Sequence, residues 1–397
     1  MTALDWDIAR DNTYAAAANA ALYPLHCKIS EADGTTLAAP LTALTPMPPF
    51  TTSSVDGYAV RGSGPWTLSG RVLAGEIAPS IADGCAVEVA TGAMVPAELD
   101  NIIRTENATI EGDKVHGQTR TKKEWREVGE EFASGDLLVS QGVPITPAVI
   151  GVAAACGYDT IEVRPKPRAA VLVFGDELAS SGVPENGQIR DSLGPLLPSL
   201  LRGVGATIAP GFSPRGPIED TLEAHVSGLR AALDDADIVC TTGGTMHGPV
   251  DYLHEALKEL GAEYVVNTVT VRPAFPMLLA SLPGGRFVVG LPGNPQSAVV
   301  AVMTLVLPLL AGLSGRALGT MPRVRLAADI PGRGSDTHLA LVSVDVDGNA
   351  HPVSHVGSSM LRGLAASDGF AVIEANTDGS AGDMVRYLPL PVPGGAG

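Results

Sequence analysis

Three runs in the second half of the chain are apolar at nearly every position: Ala169–Phe174, Asp237–Thr242 and Arg286–Leu291. Strands without polar alternation are covered on both faces, and stretches between them, such as Ile189–Gly203, read as helices. Apolar strands alternating with helices predict an α/β domain on a parallel, doubly wound sheet. The longest apolar stretch, Ala298–Leu313, follows the third run. Pro308 interrupts it and it falls short of the ~18–20 residues of a membrane span, so it reads as a buried helix.

The first half has a different texture. Tyr14–Leu22 is an Ala-rich helical stretch, and Ile145–Gly157 reads as a helix closed by a Gly C-cap. Between them, Pro46-Met47-Pro48-Pro49 makes an extended entry to short runs separated by Gly and Pro: Trp66–Ser69, Val87–Ala90 and Asn101–Arg104. They predict a small β-rich domain. The charged segment Thr121–Glu131 reads as a solvated face or hairpin and not a site. Arg164–Arg168 reads as a linker. From about Pro322, alternating runs such as Leu339–Val346 and Phe370–Glu374 predict a separate C-terminal β domain. No internal repeat is visible.

Composition narrows the partners. The 397 residues are 45% hydrophobic, which excludes bulk disorder and leaves room for two to four domains. The formal net charge of −17 repels phosphate backbones and anionic lipid, so neither nucleic acid nor a membrane is an expected partner. Cys27, Cys85, Cys156 and Cys240 form no Cys-x-x-Cys pair and read as buried thiols in a reducing cytoplasm. Met1–Arg10 carries charges and no apolar core, so no secretory leader is expected.

Ligands of open parallel sheets bind beyond the carboxyl ends of the strands. Gly175-Asp176-Glu177, Thr242-Gly243-Gly244-Thr245 (with Asp251 beyond it) and Leu291-Pro292-Gly293-Asn294-Pro295 occupy those places. Glycine lets backbone approach a ligand, and a helix N-terminus offers N–H groups to an anion. Asn294 before Pro295 reads as an N-cap. Carboxylates beside anion-binding turns call for a cation between them, which points to magnesium. In the first half, Asp56-Gly57 fits a hairpin turn and Thr91-Gly92-Ala93 another turn. His247 and His254 read as surface or packing residues.

In this order the motifs resemble those of the molybdopterin molybdenumtransferase family (MoeA and the E domain of gephyrin). The resemblance rests on Ser53-Ser54-Val55-Asp56-Gly57-Tyr58-Ala59, Thr91-Gly92-Ala93-Met94-Val95-Pro96 and Gly175-Asp176-Glu177-Leu178. Gln188-Ile189-Arg190-Asp191-Ser192, Gly243-Gly244-Thr245 with Asp251, and Leu291–Pro295 complete it. It implies four domains: a discontinuous linker domain (1–40 with 137–165), a β-rich domain (41–136), a three-layer α/β molybdopterin-binding domain (166–318) and a C-terminal β-barrel (319–397). It implies a homodimer whose cleft is shared between subunits, and hand-over of substrate from a molybdopterin adenylyltransferase. The implied reaction inserts molybdate into adenylylated molybdopterin and releases AMP, with magnesium (Mg2+), in the cytoplasm.

By the same resemblance Asp56, Glu177 and Asp251 would be catalytic, and Asp176, Glu177 and Asp251 would hold the metal. Substrate would lie against Ser54, Thr91, Gly92, Asp176, Asp191, Gly243, Gly244, Thr245, Arg272, Pro292, Gly293, Asn294, Ser297 and Ser358. The chain departs from the family where Pro-Gly-Lys-Pro is replaced by Pro273-Ala274-Phe275-Pro276, where Phe174 stands for a Thr, and at Leu193. Phe275 cannot carry the lysine's charge, which predicts weaker molybdate binding. A non-catalytic member that binds a pterin or a protein partner as a scaffold is the alternative this change would suit.

Overall fold

The computed structural model describes residues 3–185, 187–211, 217–245 and 251–391 and divides the chain into two compact units. Unit 1 comprises Met1–Leu25, Gly34–Ala38 and Val163–Gly397, and unit 2 comprises His26–Asp33 and Ala39–Glu162.

The apolar runs of unit 1 form the centre of a six-stranded sheet. Its order is Thr207–Ile208, Arg168–Val173, Ile238–Thr242, Arg286–Leu291, Leu278–Leu282 and Glu263–Asn267. The first four strands are parallel. Leu278–Leu282 runs antiparallel to both of its neighbours, Arg286–Leu291 and Glu263–Asn267, against the expectation of a parallel sheet. Leu282 and Arg286 are joined only by Pro283-Gly284-Gly285, too short for the crossover a parallel pair needs.

Burial on both faces explains the missing alternation. In Arg168–Val173, Ala169, Val171 and Val173 enter one core while Ala170 and Leu172 enter the other. Helices Leu222–Asp235 and Leu253–Glu259 cover the second core. The first lies under helices Leu193–Gly203, Trp6–Asn19 and the apolar helix, completing three layers. The expected helix Ile189–Gly203 starts later: Ile189–Arg190 pairs as a strand with Leu178–Ala179, and Asp191 Oδ1 accepts from Gly194 N at 2.9 Å to open the helix.

The apolar helix spans Pro295–Leu313, long enough by length and composition to cross a membrane, but 89% of its apolar window is buried inside the protein. Val302–Val306 is a π turn, which alters the regular carbonyl ladder. The first helix attaches there. Arg10 Nη1 donates to Met303 O at 2.7 Å and Trp6 Nε1 to Thr304 Oγ1 at 3.0 Å. Burial brings the Arg10 guanidinium down to about 10. Gly312 permits the close approach, since a Cβ there would stand 2.6 Å from Ala17 Cβ.

The C-terminal part of unit 1 is a closed five-stranded barrel. Thr337–Val344, Asn349–Pro352, Arg323–Leu326, Met384–Pro389 and Gly369–Ile373 pair in that order, and the last returns to the first. Val271–Arg272 adds a short parallel strand that sets Arg272 opposite His338. On the N-terminal side, Asp7 and Glu374 both pair with Arg386, the former through two bonds of 2.6 and 2.8 Å.

Unit 2 holds a six-stranded sheet in the order Asn101–Arg104, Gly57–Val60, Cys85–Val89, Trp66–Val72, Lys114–Gly117 and Ala108–Glu111. Gly57–Val60 is wholly buried: Ala59 faces one core, Tyr58 and Val60 the other. Asp56-Gly57 is therefore no hairpin turn; Gly57 is the first residue of a central strand. Helix Pro147–Ala155 is capped by Thr146 Oγ1, and Gly157 follows at φ +96. Of the four free cysteines, Cys156 and Cys240 are buried and Cys27 and Cys85 half-buried; burial pushes the Cys240 thiol up to about 12.

Candidate active site

Unit 2 gathers four of the residues selected from sequence. Thr51–Ser53 runs beside Gly92–Val95, with Ser53 N donating to Ala93 O (2.9 Å) and Gly92 N to Ser53 O (2.8 Å). This brings Thr91 against Asp56, whose Oδ1 accepts from Thr91 N at 2.7 Å and Thr91 Oγ1 at 2.8 Å. Those bonds, the backbone one first, hold the exposed Asp56 carboxyl below its usual range.

Ser54 N donates to Glu124 O at 2.8 Å. The Glu124 side chain is only 3% exposed and takes both prongs of Arg104 at 2.9 Å, with Arg120 at 3.3 Å. The Thr121–Glu131 segment is thus no simple solvated face. Its buried member braces the loop that carries Asp56, and Arg104 holds that carboxyl below its usual range.

In unit 1, Val173, Thr242 and Leu291 are paired across the sheet, so the three loops that follow them share its carboxyl edge. Gly243 N donates to Leu291 O at 2.9 Å. Asp176 and Asp220 bond each other's backbone N–H, at 3.4 and 3.3 Å. Burial raises the Asp220 carboxyl, with the charges of Asp176 and Glu177 adding to it. Asp251 is half-buried just ahead of helix Leu253–Glu259, and Thr245 is buried. Asp176, Glu177 and Asp251 form no three-ligand cluster, and no such group of His, Cys, Asp or Glu occurs among the described residues. His254 Nδ1 lies 2.6 Å from Tyr264 Oη, and His247 lies outside the described residues.

Among the described residues, a pocket of about 870 Å3 opens within unit 1. Arg272, Pro292, Asn294, Ser297 and Ser358 all line it, as does the diverged segment Pro273–Pro276. The start of the apolar helix forms part of the wall, but it is not open to an anion as expected. Gln296 N and Ser297 N donate to Ser358 O at 3.0 and 3.4 Å, and Gly357 N donates to Gln296 Oε1 at 3.1 Å. Asn294 makes no side-chain cap bond. A carbonyl of the barrel does the capping that sequence assigned to Asn294.

Arg272 Nε donates to Asp336 Oδ2 at 2.6 Å, and its guanidinium carbon stands 5.1 Å from the Phe275 ring centre. His338 Nδ1 is 2.9 Å from Pro331 O; burial first, and Arg333 also, push this imidazole below its usual value. Asp220, Glu124, Asp336 and His338 escaped the sequence reading, since each acquires its role from a residue distant along the chain. Ala274 lies at φ +94, a region that favours glycine. Ala274→Gly is expected to stabilise unit 1 by about 0.5–1 kcal/mol, read as a higher urea midpoint, the relief of strain exceeding the added freedom of the unfolded chain.

A family model described as the MoeA N-terminal region (domain I and II) matches residues 6–157. Models of a probable molybdopterin binding domain and of the MoeA C-terminal region (domain IV) match 170–312 and 323–390. A molybdopterin molybdenumtransferase of Staphylococcus epidermidis is 30% identical over 306 residues, 73% of this chain and 72% of that one. The chain belongs to the molybdopterin molybdenumtransferase family. A family member from Staphylococcus aureus is also 30% identical, over 303 residues, 72% of this chain and 71% of its own. Two solved structures of a molybdopterin biosynthesis MoeA protein from Pyrococcus horikoshii share the fold. Their TM-scores are 0.78 and 0.80 at 23% and 21% identity, over 98% and 97% of this chain and 99% of theirs.

Proposed function

We propose that the protein inserts molybdate into adenylylated molybdopterin, yielding molybdenum cofactor and AMP. The observation that carries this reading is the convergence of Arg272, Asn294, Ser297 and Ser358 on one pocket, at the end of the sheet where α/β proteins bind ligands. Molybdate is a dianion and the organic substrate carries a pyrophosphate. A guanidinium suits both, and the Gly243–Thr245 and Pro292–Asn294 turns carry glycines that let backbone approach them closely.

The oxygen donors Asp176 and Glu177 suit magnesium, which commonly takes one or two carboxylates together with substrate phosphates. Asp220 lies beside them, its carboxyl raised first by burial and further by the charges of Asp176 and Glu177. Asp176 and Glu177 would hold the ion, which would supply charge neutralisation of the pyrophosphate. Asp251 and Asp56 would orient substrate. A molybdate or water oxygen attacks the pterin-side phosphorus, and AMP leaves with the electron pair of the broken P–O bond; the two pterin thiols form the Mo–S bonds as their protons and molybdate oxygens leave as water. The working form we propose is a cytoplasmic homodimer in which the Asp56 loop of one subunit serves the cleft of the other, supplied by an adenylyltransferase.

The test is genetic. Expressed in cells lacking their own transferase, this chain is expected to restore molybdoenzyme activity. Folded protein at normal abundance with no restored activity overturns the reading.

A further inference from the structure

The Arg272 guanidinium is held on two sides. Asp336, half-buried beside it, takes Nε at 2.6 Å, and the guanidinium carbon stands 5.1 Å from the Phe275 ring centre. Half of the Arg272 side chain remains exposed, and its two Nη groups bond nothing among the described residues. Backbone pairing opposite His338 fixes the arginine at the barrel side of the pocket. We propose that Phe275 and Asp336 are positioning residues that hold Arg272 as a preset two-donor fork for a tetrahedral oxyanion in this pocket.

The physical case is one of pre-organisation. A free arginine side chain loses much rotamer freedom when it binds, and a fork already fixed in place loses less. Cation–π contact with the ring supplies one restraint and the carboxylate the other. Asp336 cancels much of the long-range field of Arg272, so the fork acts through short hydrogen bonds. Asp329, the second acid at the pocket, is occupied elsewhere, its Oδ1 accepting from Ala381 N at 2.8 Å. Phe275 is therefore more than the loss of a positive charge: it acts on the charge that stays.

This proposal rests on the molybdate reading above and names the oxyanion's contact. Its test is calorimetric titration of molybdate into the full chain. Phe275→Leu is expected to weaken binding about two- to fivefold, the worth of an exposed cation–π contact. Phe275→Trp and Phe275→Tyr are expected to keep the parent affinity, because they keep a ring face. A packing role alone would not produce that rescue. In turnover, Phe275→Leu should raise the KM for molybdate and leave kcat unchanged. If Phe275→Leu does not fold, Phe275→Met carries the same comparison. Unchanged binding in the aliphatic variants, or equal weakening in the aromatic ones, overturns the positioning role alone. A parent protein that binds no molybdate overturns both this role and the reading beneath it.

Discussion

Asp56→Asn is expected to lower the rate of molybdenum insertion by about a hundredfold or more, the scale of losing a pre-organised charge at a reacting centre. Thr91 donates twice to Oδ1, leaving Oδ2 without a bond among the described residues. Asparagine keeps an acceptor for Thr91 and removes the charge, so the loop should persist. The lowered carboxyl fixes the pH dependence. Asp56 is ionised in the folded protein from its depressed value upward, so activity should not fall on its account near neutrality. Its contribution to stability is present above the usual carboxyl value and is lost only as pH falls through the lower folded one. Reconstitution of an apo-molybdoenzyme checks the rate, and melting checks the fold. A folded variant working at the parent rate removes Asp56 from the machinery.

The next residue should fail differently. Gly57→Ala is expected to destabilise unit 2 by about 3 kcal/mol or more, through overpacking against backbone that cannot yield. The added carbon would stand 2.2 Å from Ile103 O, inside the pairing of Gly57–Val60 with Asn101–Arg104. Gly70→Ala is the control: it lies in a strand of the same sheet, and its Cβ would meet nothing within 4 Å. Thermal melting should fall sharply for the first and little for the second. Equal midpoints would mean that the strands can separate without loss. Two adjacent residues of one motif are thus expected to carry separate duties, the proposed chemistry at Asp56 and close approach at Gly57.

Much of unit 1 was legible because burial on both faces writes itself as uninterrupted apolar runs. Ala169–Phe174 and Arg286–Leu291 need no alignment to be read as strands. Loops at their carboxyl ends follow from topology, and Val173, Thr242 and Leu291 do stand in register. What escaped was set by contacts across long stretches of chain. Nothing near Ser358 announces that its carbonyl, rather than Asn294, caps the apolar helix. Nothing in Thr121–Glu131 distinguishes Glu124 from its solvated neighbours until Arg104 is placed beside it. Phe275 was visible as a departure, but its partner Arg272 and the anchor Asp336 came together only through the strand pairing at Val271–Arg272.

The seating of the first helix has a consequence for biosynthesis. Trp6 finds Thr304 across 298 positions and Asp7 finds Arg386 across 379. A ribosome adding about 5–20 residues per second makes Trp6 wait on the order of 15–60 s for its partner, and Asp7 on the order of 20–75 s. Every residue of unit 2 has been made by position 162. Unit 2 can close while translation continues, whereas helix Trp6–Asn19 of unit 1 carries its apolar face uncovered until the helix ending at Leu313 has been made.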